Sequence, residues 1–317
     1  MISWMVRRAG RALCVLFLVA LATMSLPLLL PGSAAVAVLG TNVSAAELAA
    51  FTSMHHLDAN PLERLWMWVT GVLHGDLGTS IVSGASVAGE LQARLPITVE
   101  LVVLSQLLAI LLAIPVALRA AWRPGSLLDR LSAGLSFVLL SIPGFVLGLA
   151  LIFLFAVQLR ILPATGWVGF AQDPVGHVQH LILPVLTLSL GEAAVYLRAL
   201  RANAGEILVE NYIHAARSRG MAPGRILRTR VLRSASLPLV TIVGINIGAS
   251  FGGALIVETL FAIPGIGRLL SSSIAVRDYP VIESLAIIAA LAVVVATVAV
   301  DLSYRIIDPR ISHAANN

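Results

Sequence analysis

The sequence predicts an all-α integral membrane protein with six transmembrane helices and both termini in the cytoplasm. Three observations predict it. Hydrophobic residues make up 58% of the 317 and charged residues 12%, against about 25% charged in an ordinary soluble domain, and mean hydropathy is +0.95. Six apolar runs approach the about 20 residues that a helix needs to cross a bilayer. All 21 basic residues are arginine, and their placement is strongly one-sided.

The runs are 12–30, 97–118, 131–157, 181–197 (extended through 200), 237–263 and 281–300. Each is expected to be helical, because irregular chain in lipid leaves backbone groups unpaired. Pro27, Pro115, Pro143, Pro184 and Pro238 fall within or at the ends of these runs and predict kinks. The first run follows an arginine-rich start, as a secretory signal would, but its 19 apolar residues exceed the about 7–15 of a cleaved signal, so a retained span is expected.

Orientation follows from the arginines. With the N-terminus inside, the inner segments hold Arg7, Arg8 and Arg11, then Arg119, Arg123 and Arg130, then Arg198 and Arg201, the six within 217–233, and finally Arg305 and Arg310. The outer segments hold only Arg64, Arg94, Arg160, Arg268 and Arg277, a ratio of sixteen to five. The basic pI is therefore a topology signal, and no nucleic-acid partner is implied. The single cysteine, Cys14, excludes an internal disulfide and a cysteine-based metal site.

These spans divide the chain into an N-terminal transmembrane helix (1–30), an external segment (31–96) and a five-helix core (97–317) with a cytoplasmic loop at 201–236. In the external segment Asn60 caps, Pro61 takes the first helical position and Glu63 completes a capping box. Leu62, Leu65, Trp66, Val69, Val72 and Leu73 form one apolar stripe, which predicts a short amphipathic helix on the membrane surface with Trp66 and Trp68 as interface anchors. Asn42-Val43-Ser44 is a glycosylation sequon, of consequence only where exported loops are glycosylated. In the cytoplasmic loop, 208–219 reads as a short helix stopped by Gly220, and Pro223 starts a second whose Leu227, Val231 and Ala235 face one way.

Ionisable residues inside spans are expensive in lipid and mark candidate sites. Glu100, Glu192, Glu258, Glu283 and Asp301 qualify, with Gln106 and Asn246 as neutral polar company. For Glu100, Glu283 and Asp301, hydrogen bonding between helices is a sufficient account. Glu258, beside the FAIPGIG turn with Pro264, Gly265 and Gly267, is the stronger candidate for a translocation path or external gate; Glu192 and Asn246 are weaker ones. Gly244, Gly248 and Gly252 recur every fourth residue and form a groove for close helix packing, within the chain or against another. His177 with His180, and His55 and His56 with Asp58, lack a complete metal-ligand set, so no metal is expected. No G-x-S-x-G elbow is present, and a chain without lysine holds no Walker A loop, so it binds no ATP by that motif. A stand-alone secondary transporter would show inverted repeats or a charged midplane site, and neither is evident.

The order of residues in HAARSRG (214–220), with Pro238 eighteen positions after the glycine, resembles the EAA loop of bacterial ABC-importer permeases. Specifically it resembles the dipeptide/oligopeptide/nickel group, where Tyr-Val-x-x-Ala-x-x-x-Gly is typical. Tyr212, Ala216 and Gly220 match; His214 stands where the general motif has Glu. Similar matches are GDLGTS (75–80), RLPITVEL (94–101), SIPGFVLGL (141–149), VETLFAIPGIGRLL (257–270), RDYPVI (277–282) and VDLSYRIIDPR (300–310). The resemblance is to the first-permease type, and implies the type I ABC importer permease (MetI-like) fold in a bacterial inner membrane. It further implies that the cytoplasmic loop is a coupling helix docking on an ATP-binding subunit, with Glu210, Tyr212, Ala215, Ala216 and Gly220 as ATPase-coupling residues. Small Ala215 and Ala216 would allow close approach. Implied partners are a homologous second permease, two ATP-binding subunits or one fused chain carrying ATP and Mg, an extracytoplasmic substrate-binding protein and membrane lipid. The chain itself would be no enzyme and bind no cofactor. Peptides are the implied cargo, with nickel, glutathione or haem-like ligands as alternatives.

Overall fold

The computed structural model describes residues 2–29, 34–40 and 43–307. Asn42 of the sequon and the last residues of the VDLSYRIIDPR segment lie outside them, as does the side chain of Asp301. In chain order the principal helices are α1 (Ile2–Met24), α2 (Ala45–Met54), α3 (Pro61–Leu73), α4 (Val87–Trp122) and α5 (Leu127–Ser141). They are followed by α6 (Gly144–Gln158), α7 (Pro174–Leu208), α8 (Asn211–Ser218), α9 (Pro223–Leu260), α10 (Ile266–Val276) and α11 (Tyr279–Ile307).

Among the described residues, α4, α7, α9 and α11 are each long and apolar enough to cross a membrane, and the pair α5 and α6 makes a fifth if counted as one. The apolar run expected first in the chain forms α1, whose described apolar stretch, Ala9–Met24, is shorter. The run at 131–157, expected as a single span, is two helices bent by 106°. Pro143 explains the break: its ring disfavours helical geometry in the preceding residue, and Ile142 is extended at φ −90°, ψ 125°. By contrast, Pro184 and Pro238 are accommodated inside α7 and α9.

Contacts divide the chain into two compact units, residues 1–98 with 264–294 and residues 99–263 with 295–317. This partition differs from the sequence-order segments 1–30, 31–96 and 97–317, which rest on topology.

In the first unit, Ala20 and Met24 of α1 and Ile287 of α11 form a cluster onto which Leu65 and Trp68 of α3 pack. Helix α3 begins as its sequence dictates, the Asn60 side chain accepting from the Leu62 amide at 3.0 Å. The reciprocal capping box forms instead at α2, between Ser44 and Glu47. The inward face of α3 takes in only Leu65 of the apolar stripe: Arg64 is buried and ion-paired with Glu283, and the Trp68 indole donates to the Ser284 hydroxyl at 2.9 Å. Leu62, Trp66, Val69 and Leu73 stay exposed. Trp68 is thus tied inward and only Trp66 is free to anchor at an interface, because a guanidinium buried beside a carboxylate fixes which face turns in. Further along, Ser80 and the Ile81 amide bind the Asp278 carboxylate at 2.5 and 3.2 Å, and the Thr98 hydroxyl accepts from the Ile266 amide opening α10.

In the second unit, α4 presents Ala109, Ala113, Ala117 and Ala121, all buried at four-residue spacing, to Tyr196, Leu197, Leu200, Ala204 and Leu208 of α7 and Val231, Ala235 and Leu239 of α9. Small residues on a fixed face let helix backbones approach closely where hydrophobic drive is weak. Gly148 of α6 serves the same end. A Cβ there would stand 2.7 Å from Leu260 and 3.1 Å from Thr187. Helix α7 continues well past the apolar run, through Arg198 and Arg201 to Leu208, because those arginines find partners. Arg198 lies over the Phe137 ring, 4.9 Å from its centroid, and Arg201 grips Asp129 in two parallel bonds of 2.5 and 2.9 Å.

Candidate functional site: the 208–236 hairpin and a buried polar network

Eight residues make α8, with Glu210 extended before it at φ −69°, ψ 144°. The Glu210 carbonyl accepts from the Ile213 and His214 amides, opening the helix by backbone alone. Ile213 and Ala216, three apart and therefore on one face, are buried in the core of the second unit, with Leu208, Ile226 and Val231. The opposite face exposes Tyr212, His214, Ala215, Ser218 and Arg219. Gly220 ends the helix in the left-handed region at φ +74°, where glycine carries no Cβ penalty, and Pro223 opens α9 at its first turn. As the spacing predicts, Val231 and Ala235 are buried and Leu227 packs beside them.

Ala216 therefore contacts this chain rather than presenting itself outward, and of the two alanines only Ala215 is available to a partner. Arg217 stacks on Trp122, its guanidinium 4.4 Å from the ring centroid. Arg219, Arg225, Arg228, Arg230 and Arg233 are exposed, and no carboxylate pairs with them among the described residues. The result is a short helix braced from behind, with a basic rim.

The candidate polar residues separate into two groups. Gln106 of α4, Glu192 and Tyr196 of α7, and Asn246 and Ser250 of α9 come together in one network. The Gln106 amide nitrogen donates to Glu192 Oε1 and Ser250 Oγ, both at 2.9 Å. The Tyr196 hydroxyl donates to Gln106 Oε1 at 2.6 Å. The Ser250 hydroxyl lies between the Glu192 carboxylate and the Asn246 carbonyl, the latter at 2.6 Å. The second oxygen of Glu192 is buried without a partner among the described residues. Each bond between helices in a membrane contributes about 0.6 kcal/mol, so the network fixes the register of three helices more than it adds stability. Sequence reading missed Ser250 and Tyr196, yet each lies four residues after a polar residue already singled out, Asn246 and Glu192.

Glu100 and Glu283 each bond between helices, as expected: Glu100 Oε1 lies 2.9 Å from His177 Nε2, and Glu283 pairs with Arg64. His177 is held further by the Val168 carbonyl at 2.7 Å and by the edge-on rings of Trp167 and Phe170. Glu258 is fully buried in the second unit, and its carbonyl accepts from the Ile263 amide in the turn that follows. In that turn Ala262 takes φ +56°. Pro264, Gly265 and Gly267 belong to the first unit, with Gly265 extended as the residue before α10. Gly244 is buried, Gly248 half-buried and Gly252 exposed. A Cβ at Gly252 would meet nothing within 4 Å, so that end of the stripe is open.

Residues 110–313 match the family described as binding-protein-dependent transport system inner membrane component, and residues 1–102 match the N-terminal region of such membrane components. The chain belongs to this family. It is similar to the oligopeptide transport system permease protein AppB of Bacillus subtilis, at 33% identity over 99% of this chain and all of the relative. It is likewise similar to the dipeptide transport system permease protein DppB of Escherichia coli, at 31% identity over 99% of each chain. A probable peptide ABC transporter permease protein of Sinorhizobium fredii, y4tP, shares 36% identity over 85% of this chain and 89% of its own length. As an inner-membrane component of a transport system, the chain is a membrane transport subunit. The all-helical architecture, with its bilayer-length apolar helices, fits that family.

Proposed function

We propose that this transport component forms half of the translocation pathway of an ATP-driven importer for peptides. The cargo arrives on an extracytoplasmic substrate-binding protein, a homologous second permease supplies the other half, and two ATP-binding subunits, or one fused chain, supply the energy. ATP and Mg are held on those subunits, as a chain with no lysine has no Walker A loop. Six spans with both termini in the cytoplasm place the arginine-rich hairpin on the same side as the ATPases. Peptide cargo is supported by the names of the relatives above.

The observation that carries this reading is the two-sidedness of α8. Its inner face, Ile213 and Ala216, is locked into the chain's own core, while Tyr212 and Ala215 face outward. A lever that transmits force needs both a rigid root and a free face. Glu210 and Gly220 set its ends. Glu192, Asn246 and Glu258 remain pathway candidates, with Pro264, Gly265 and Gly267 as gate-forming turn residues, and the open end of the Gly244, Gly248 and Gly252 stripe faces the second permease.

Purification in mild detergent is expected to bring down a second permease and an ATP-binding chain in stoichiometric amounts. Survival of the complex through purification requires dissociation constants below about 1 μM, a binding free energy beyond about −8 kcal/mol. A chain that purifies alone, in a detergent that keeps it folded, would contradict the reading.

A further inference from the structure

The last turn of α4, the link to α5 and the start of α9 enclose a cleft of about 360 Å³ lined by Arg119, Trp122, Arg123, Ser126 and Leu128, with Pro223 and Leu227 closing it. All of these lie in the second unit. Arg119 and Arg123 are exposed and have no carboxylate partner among the described residues. The acid closest in sequence, Asp129, is buried and already committed to Arg201 and to the Gly125 amide. The cleft therefore offers uncompensated positive charge beside an indole that is itself stacked by Arg217.

An apolar track leads away from it. Leu127, Leu131 and Leu135 recur every fourth residue on α5 and are 74%, 62% and 59% exposed, so one face of that helix carries an unpartnered aliphatic stripe starting at the cleft. A ligand matching both features has an anionic head and a hydrocarbon tail. We propose that the cleft seats the headgroup phosphate of an anionic phospholipid, with one acyl chain along Leu127, Leu131 and Leu135. Basic pockets between helix ends at the inner face suit such headgroups, and tryptophan favours the same depth. A water-soluble protein partner would satisfy the arginines but would leave Leu131 and Leu135, the first residue of the apolar run and one turn into it, uncovered. The inference rests on the proposed topology only for which leaflet supplies the lipid; it does not depend on the cargo.

The test uses the complete transporter, delipidated in detergent so that both faces are accessible, with lipid binding counted by native mass spectrometry. Phosphatidylglycerol is expected to bind in preference to phosphatidylcholine. Arg119→Gln with Arg123→Gln should weaken it about 30-fold, the combined effect of two arginines beside an anionic headgroup. Leu131→Asn should weaken long-chain phosphatidylglycerol while sparing a short-chain, water-soluble form. All three positions are exposed, and unchanged thermal unfolding of the variants confirms that folding is not the cause. Equal binding by wild type and the double variant would overturn the proposal. So would displacement of phosphatidylglycerol by inorganic phosphate at matched concentration, which would make the cleft a free-anion site. Finally, a Leu128→Cys thiol that is shielded only when the ATP-binding subunits are present would assign the cleft to a protein partner and overturn it as well.

Discussion

Ala216→Glu is expected to abolish transport by damaging this chain itself. Ala216 is 7% exposed and sits among Leu208, Ile213, Ile226 and Val231. A glutamate there must bury a carboxylate among these aliphatic side chains, and it must also displace tightly packed side chains. Burying an unpaired polar or charged group costs several kcal/mol, and overpacking adds about 1–3 kcal/mol. The hairpin should come away from the ends of α7 and α9. Thermal unfolding in detergent should fall well below wild type, and ATP-binding subunits should be lost on purification. Ala216→Ser, which adds one oxygen able to bond within its own helix, should be far milder. Wild-type unfolding of the glutamate variant would show that the inner face of α8 is not rooted in the core.

The second large effect is expected at Arg64 and Glu283. Both side chains are 6% exposed, and they pair with each other. Removing one partner from a buried pair leaves an uncompensated charge and costs about 3–5 kcal/mol. Arg64→Ala and Glu283→Ala should each lower the unfolding temperature strongly. Replacing both together by methionine should recover most of the loss, since a well-packed apolar pair of similar volume is close to neutral. If the double variant is as unstable as the singles, the pair does more than neutralise charge. If the singles are near wild type, α3 is not held by this contact.

That pair also marks where sequence reading stops. The caps and the apolar stripe of α3 follow from local rules, and Asn60 does cap it. The face it buries does not follow, because Arg64 finds its partner 219 positions away. The break at Pro143 belongs to the opposite case. Proline's constraint on its neighbour is local, so a kink was legible, although its 106° size was not. For the hairpin, Tyr212, Ala216 and Gly220 were readable as a motif, and Gly220 adopts the left-handed turn the motif requires. Which alanine faces outward was not readable, since a helix of eight residues has too little periodicity to reveal its inner face. Likewise Gln106, Glu192 and Asn246 were recognisable as polar residues in apolar spans. Their union through Ser250 and Tyr196 depends on how α4, α7 and α9 are rotated, which packing of the Ala109, Ala113, Ala117 and Ala121 stripe decides.

The central claim is that the outer face of α8 couples ATP hydrolysis to transport, and Ala215→Glu tests it most directly. Ala215 is exposed, so the substitution should change the chain's own stability by no more than about 0.5 kcal/mol. In a docked contact the same carboxylate would be desolvated without a partner. Uptake and ATP hydrolysis should be measured side by side in proteoliposomes containing the full transporter and loaded binding protein. The account predicts normal folding and pairing of the permeases, uptake reduced at least about tenfold, and hydrolysis that no longer responds to loaded binding protein. Wild-type uptake with normally stimulated hydrolysis would contradict it, and would leave the hairpin as a basic loop resting on lipid.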